Sequence, residues 1–409
     1  MGSLWHPFSD MGAVSANGEF VVSRGEGVYV YDTSGRRYLD ATAGLWFANV
    51  GHGRAELADA AAAQMRSIAA YYTFGDVATP ATIELADRIA AISPMPDTKV
   101  FFTSGGSDSI DSAVKLARRY WFELGRPDKR IVIGRTRAYH GTHIGGTALS
   151  GLEPNRAGWG SLMPDVSTVD GGSAKALLLE IERLGASNIA AFFCEPIIGA
   201  GGVYPPADGY LAEVRQICRD HSILFVADEV ITGYGRIGGA WFASSRFALD
   251  PDMITTAKGL TSGYLPMGAL LVAGAVAEPF YAGGTWFRHG YTYSGHATSA
   301  AVASANLDIV EREDLLSAAA RLESTLDKEL AVLASHPAVS EVRSGFGAVA
   351  AVQLADTTQV FPLIGHLRHH GVSTRAVGAG GLQISPPLTM TDTQVTELVD
   401  GFTAALADL

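Results

Sequence analysis

Cysteine is nearly absent from this chain, with only Cys194 and Cys218 among 409 residues. Both stand in apolar runs, where a free cysteine behaves as a small hydrophobe, so they read as reduced thiols of a cytoplasmic protein, and a disulfide scaffold is excluded. Basic residues are also in short supply: 30 Lys and Arg stand against 42 Asp and Glu, a net charge of -12. Nucleic acid and anionic membrane surfaces both require a basic face, so neither is expected as a partner. No apolar stretch reaches spanning length without charge or glycine, and the start, MGSLWHPFSD, lacks the basic-then-apolar pattern of a signal peptide. A soluble, cytoplasmic protein is the expectation. No G-x-S-x-G elbow is present to support serine hydrolase chemistry. His366, His369 and His370, like His140 and His143, have no cysteine or carboxylate at ligand spacing, so no metal site is expected.

What is abundant is apolar surface, at 47% of residues, together with 47 glycines that cluster at the ends of apolar runs. A chain of this length predicts two or three domains. Gly25 to Leu39 alternates around Thr33-Ser34-Gly35 and predicts a hairpin. It leads into a glycine-punctuated loop, Asp40 to Gly53, where Trp46 and Phe47 either plug a core edge or wall a pocket. Helical periodicity marks Ala55 to Ala70 and Pro80 to Ile92.

Strands and helices then alternate. Val100 to Phe102, Ile131 to Ile133, Ile189 to Cys194, Leu224 to Ala227 and Met253 to Thr256 are short apolar runs of buried-strand type. Helical segments lie between several of them, including one carrying Ile110, Ala113, Val114, Ala117 and Trp121, and another over Gly209 to Asp220. This order predicts an α/β protein with a mostly parallel sheet covered on both faces. Beyond it, one long helix is expected over Ser299 to Leu333, short strands around Val342 to Leu354 and Leu382 to Ser385, and a closing helix over Thr391 to Leu406.

In an open parallel sheet, ligands bind outside the carboxyl ends of the strands. Glu195, Asp228 and Lys258 each follow such a strand. Ser104-Gly105-Gly106-Ser107 opens at the same edge into a helix N-terminus, a cradle for a phosphate. Lys258 in PDMITTAKGLTSGYLP is either a lysine that snorkels to water or a reactive amine. Asp228 alone could equally be a cap or the partner of Arg236. Together, a phosphate cradle, a lysine and a buried carboxylate match pyridoxal 5'-phosphate, whose aldehyde binds a lysine and whose pyridine nitrogen is kept protonated by an aspartate. Gly233-x-Gly235-x-x-Gly238 spells a dinucleotide fingerprint, the mark of a nicotinamide oxidoreductase, but its first glycine is displaced from the strand and Gly238-Gly239 opens a helix poorly.

The motifs AGLW (43–46), FFTSGGSDS (101–109), YHG (139–141), EPIIGAGGV (195–203), ADEVITGYGRIG (227–238), TTAKGLTSGYLPMGA (255–269), HGYTYSGH (289–296) and SPPL (385–388) run through nearly the whole chain. In that order they resemble the class III, fold-type I aminotransferases, and in particular the amine:pyruvate and ω-amino acid:pyruvate transaminases. The resemblance implies a large domain, 54–305, with a seven-stranded, mostly parallel sheet, a small α+β domain at 306–409, and an N-terminal segment, 1–53, that joins it. It implies that Lys258 binds the cofactor and shuttles a proton, that Asp228 pairs with the ring nitrogen, and that Val230 and Tyr139 pack on the two ring faces. Gly105, Gly106 and Ser107 would hold the phosphate, with Thr292 reaching it from the neighbouring subunit of a homodimer or a tetramer. His140 and Glu195 would line the site. Arg375 would bind the keto acid carboxylate and swing away for apolar amines, with Trp46 walling the pocket. The activity implied is transfer of an amino group from a primary amine or ω-amino acid to pyruvate or a similar keto acid by ping-pong kinetics. An aminomutase, a decarboxylase and a binding protein without catalysis are the alternatives. Several positions depart from the family pattern: the loop reads Ser104-Gly105-Gly106-Ser107-Asp108-Ser109 where asparagine-serine-glycine-serine-glutamate-alanine is usual, so that Gly105 removes one hydroxyl from the cradle, and Ala297 replaces a proline.

Overall fold

The apolar runs pair side by side in the computed structural model, which describes residues 2–409. One sheet has seven strands in the order Lys99–Thr103, Gly268–Val272, Met253–Thr256, Leu224–Asp228, Ile189–Cys194, Ile131–Arg135 and Val166–Val169. All neighbours are parallel except Gly268–Val272, which runs against both of the strands beside it. Successive strand residues point to opposite faces. Phe225 and Ala227 therefore join one core with Ile89, Ile181 and Val214, and Leu224 and Val226 join another with Ile110, Val114 and Trp121. Helices Pro80–Ile92, Ala174–Leu184 and Tyr210–Asp220 supply the first core, and Gly106–Glu123 the second. Local signals agree with this packing. Thr79 caps the helix that Pro80 opens, and Ser173 caps the one at Ala174.

Two smaller sheets flank this body. Val22–Glu26, Tyr29–Asp32 and Arg37–Asp40 form a meander whose last strand takes Val372–Ser373 as a parallel neighbour, with Leu39 opposite Val372 and Asp40 opposite Ser373. Val339–Arg343, Ala350–Leu354, Gly381–Ile384 and Ala376–Val377 make an antiparallel sheet. Helices Val360–His369 and Asp392–Ala407, the latter opened by a Thr391/Gln394 capping box, share a core with Leu39, Val352 and Val372.

One expectation needs correction, and two features lay outside the expectations. The long helix over Ser299 to Leu333 is two helices, Ala297–Arg312 and Leu315–Leu330, followed by a 3-10 turn at Ala331–Ser335. Asp314 breaks it by adopting a left-handed backbone (φ 48°), which aspartate tolerates better than most residues. Glu313, beside it, receives a two-pronged bond from Arg54, both contacts at 2.7 Å. Strands Val22–Glu26, Val166–Val169 and Gly268–Val272 were not anticipated; the last is a short apolar run just beyond the loop that carries Lys258. His370 does have a carboxylate beside it, Asp408 at 2.7 Å, which the closing helix brings from far along the chain. Among the described residues no helix is long and apolar enough to cross a membrane, and both cysteines are free and buried.

Candidate active site

The parallel strands end in step, with Cys194 opposite Ala227, Ala227 opposite Ile254 and Asp228 opposite Thr255. Glu195, Asp228 and Lys258 consequently emerge at one edge of the sheet. Lys258 begins a 3-10 turn, Lys258–Leu260, with a left-handed backbone (φ 42°). Such a conformation costs a lysine about 1–2 kcal/mol, and strain of this kind concentrates where function requires a fixed geometry. Burial lowers the Lys258 amine to about 8, against the pull of Asp228 and Glu195, whose charges favour the ammonium.

Asp228 is buried and fully engaged. Its Oδ2 lies 2.7 Å from His140 Nδ1, and its Oδ1 accepts from Thr255 Oγ1 and from the Val230 amide, both at 3.1 Å. The Nε2 of the buried His140 has no hydrogen-bond partner among the described residues. Arg236 is not the partner of Asp228. Its guanidinium donates to Asn49 Oδ1 at 2.7 Å and to the carbonyls of Pro386 and Ala348 at 2.5 and 3.2 Å, and burial lowers its pKa to about 9. Glu195 accepts from the amides of Tyr139 (3.0 Å) and Gly199 (2.9 Å), and burial raises its carboxyl above the ordinary range.

The facing wall is the start of helix Gly106–Glu123. Gly105 precedes it in an extended conformation with no side-chain cap, so the first-turn N–H groups have no competing side chain. Ser104 is held instead by its own amide, which donates to Asp108 Oδ2 at 3.0 Å. Gly106 is required by close packing: a Cβ there would lie 2.8 Å from Val230 Cγ1. Ser107 Oγ accepts from the Thr142 amide at 3.1 Å.

These groups surround a cavity of about 170 Å³ lined by Gly106, Ser107, Tyr139, His140, Glu195, Asp228, Val230 and Lys258. An adjoining chamber of about 260 Å³ shares Tyr139 and Lys258 and adds Trp46 and Arg375. Gly105 sits at the helix start without lining either space. Thr292 is not brought in: it lies exposed on a turn near the chain's surface. Trp46 is both core and wall, packed with Val203, Val349 and Val377 while touching the second chamber. Leu45, which sequence reasoning passed over inside AGLW, lines both spaces. Non-helical angles at Gly44 and Leu45 set that leucine's place, which no periodic pattern in the sequence marks. Phe8, Leu152 and Asn155 complete the second chamber and carried no signal in the sequence.

An amine near its pKa, a carboxylate at hydrogen-bonding depth and a bare helix start form a donor set that fits pyridoxal 5'-phosphate: aldehyde, ring nitrogen and phosphate each find a complementary group. The dinucleotide alternative lacks its context. Gly238 packs on the backbone of Ala320 (a Cβ would lie 2.9 Å away), and the next helix, Ala243–Arg246, is a single turn.

Comparison with known proteins agrees. The pattern that describes the family "Aminotransferase class-III" matches residues 11–406. A putrescine–pyruvate aminotransferase of Pseudomonas aeruginosa is 39% identical over 421 residues, covering 96% of this chain and 91% of that protein. The crystal structure of a thermostable (S)-enantioselective ω-transaminase from Thermomicrobium roseum superposes with a TM-score of 0.95 at 38% identity, covering 98% of this chain and 95% of the other. An amine transaminase from an uncultivated Pseudomonas species, solved in its pyridoxal phosphate-bound form, gives 0.95 at 36% identity, covering 100% and 99%. With its family pattern, its sheet and its near-complete overlap with these enzymes in agreement, this chain belongs to the class III aminotransferases of fold type I, enzymes that use pyridoxal 5'-phosphate.

Proposed function

We propose that this aminotransferase moves an amino group from a primary amine or ω-amino acid to pyruvate. The observation that carries the reading is the second chamber, which apolar Leu45, Trp46, Leu152 and Val377 line together with one guanidinium, Arg375, and the Lys258 amine. Among the described residues the Arg375 guanidinium makes one hydrogen bond, a long contact to Gln383 Oε1 at 3.4 Å, which leaves it able to meet a carboxylate or to turn away from an apolar donor. The names of the relatives, a putrescine–pyruvate aminotransferase and ω-transaminases, support the same class of donor and acceptor.

Pyridoxal 5'-phosphate, when bound, supplies an aldehyde that condenses with amines and a ring that withdraws electrons from the carbon being deprotonated. On our reading, Lys258 Nζ would anchor the cofactor and, once released, would take and return the moved proton; burial lowers the pKa of the free amine to about 8, which suits an amine that accepts and gives back a proton. Asp228, its carboxylate fixed by His140, Thr255 and the Val230 amide, would keep the ring nitrogen protonated. Val230 and Tyr139, which line the cavity, would flank the ring, and the amides at Gly106 and Ser107 would hold the phosphate. Gly105 contributes backbone only, and Glu195 holds the Tyr139 loop in place.

We place Thr292 at the phosphate of a second copy of the chain in a homodimer, a role its exposure in the single chain supports. We also read 54–305 as the cofactor-binding body, with 1–53 and 306–409 closing over it; the pairing of Leu39–Asp40 with Val372–Ser373 supports that division. The two buried free thiols accord with a reducing cytoplasm. A donor panel with pyruvate tests the activity. Alanine should form with uncharged and ω-carboxylated amines in the wild type and not with Lys258→Ala; alanine formed equally by both would refute the reading.

A further inference from the structure

His289 opens the HGYTYSGH motif and has no task in the reaction described above. Its ring lies parallel to Phe101, centroids 5.7 Å apart, and meets Phe287 and Tyr291 edge-on at 5.3 and 5.0 Å. Both nitrogens are engaged: Nδ1 is 2.8 Å from Lys115 Nζ and Nε2 is 2.8 Å from Ser112 Oγ. An ammonium only donates, so Nδ1 accepts from Lys115 and the ring proton sits on Nε2, which donates to Ser112. Burial and the Lys115 charge lower the His289 pKa to about 4, in keeping with that neutral form. Ser112 in turn donates to the Asp108 carbonyl at 2.7 Å, and the Tyr291 hydroxyl donates to the same carbonyl at 3.0 Å.

Lys115, Ser112 and Asp108 all belong to helix Gly106–Glu123, whose start faces the cofactor cavity. His289 and Tyr291 therefore grip that helix immediately before Thr292. Beyond Thr292, the same turn is tied down by Thr73, which donates to the Ser294 carbonyl at 3.0 Å, and by Thr82, which donates to the Gly295 carbonyl at 2.8 Å. An exposed threonine is thus held between two fixed ends, one of them moored to the helix that faces the phosphate in its own chain.

We propose that His289 is a positioning residue that acts in trans: by mooring the 288–296 segment to helix Gly106–Glu123, it fixes the height at which Thr292 is presented to the cofactor phosphate of the second copy. The inference rests on the dimer reading of Thr292 given above. Loss of His289 leaves the Lys258 cavity of its own chain intact and loosens a contact in the other.

Mixed dimers test this. The His289→Ala homodimer should bind pyridoxal 5'-phosphate about tenfold more weakly, as for one lost hydrogen bond to a charged group, and His289→Gln, which keeps a donor toward Ser112, should recover part of that loss. In a hybrid of a His289→Ala chain with a Lys258→Ala chain, the one site that retains Lys258 draws its Thr292 from the chain with an intact His289. Cofactor affinity at that site, followed by fluorescence titration, should return to the wild-type value. Affinity as weak as in the His289→Ala homodimer would overturn the proposal and make His289 a support of its own chain's site. The Thr292→Ala homodimer separates the two layers. If it binds the cofactor like the wild type, the dimer reading itself fails; if it loses affinity while His289→Ala does not, the mooring fails alone.

Discussion

The pKa of Lys258 is the most exacting physical consequence of this site, because burial moves the amine from 10.5 to about 8. At pH 8 half of the Lys258 side chains in the apoprotein would be unprotonated, against about 0.3% of an ordinary lysine, a difference of roughly 160-fold in reactive amine. Pulse labelling of the apoprotein with an amine-acylating reagent between pH 6 and 11, read peptide by peptide by mass spectrometry, should give a midpoint near 8 for Lys258. Solvent-exposed Lys328 serves as the internal standard and should titrate far higher. Asp228 and Glu195 oppose the shift, so Asp228→Asn and Glu195→Gln should each move the midpoint below 8. The sign carries over to stability. The unfolded lysine keeps its proton up to 10.5 while the folded one loses it near 8, so the charged amine weakens the fold below 8 and that penalty fades as pH rises toward 10.5. Lys258→Met should accordingly stabilise the apoprotein at pH 7 by on the order of 3 kcal/mol, with the advantage shrinking above pH 8. A Lys258 midpoint at or above 10, or one unmoved by Asp228→Asn, would refute the reasoning.

Two further substitutions probe the neighbouring groups. Gly106→Ala drives a Cβ to 2.8 Å from Val230 Cγ1, and overpacking of that kind costs about 1–3 kcal/mol; cofactor affinity measured by equilibrium titration should fall by roughly 5- to 150-fold, and an unchanged value would show that Val230 can move aside. Arg375→Ala should raise the KM for pyruvate about tenfold or more, as for the loss of a charge-assisted bond, and leave an uncharged aryl amine nearly unaffected. Equal losses for both substrates would make Arg375 a structural residue.

The chemistry-bearing edge of this protein was legible because parallel strands announce their ends: Glu195, Asp228 and Lys258 each follow an apolar run, and the sheet sets those runs in step. Leu45 was not legible, since its place in the cavity depends on backbone angles at Gly44 and on itself rather than on periodicity. The partners of Arg236 lie 112 to 187 residues away along the chain, beyond the reach of any local pattern. The break at Asp314 escaped because the apolar repeat continues on both sides of a single left-handed residue. His289 could be read as part of a motif, yet its grip on Ser112 and Lys115 depends on tertiary packing across more than 170 residues.

The central claim is that an amine donor and a keto acid exchange one amino group at the Lys258 cavity in two separable halves. The direct test is the visible spectrum of the holoenzyme, recorded as an amine donor is added without acceptor and then as pyruvate follows. The cofactor's visible absorbance should fall on the first addition and return on the second, with one equivalent of alanine per site. A spectrum that the donor leaves unchanged would contradict the account.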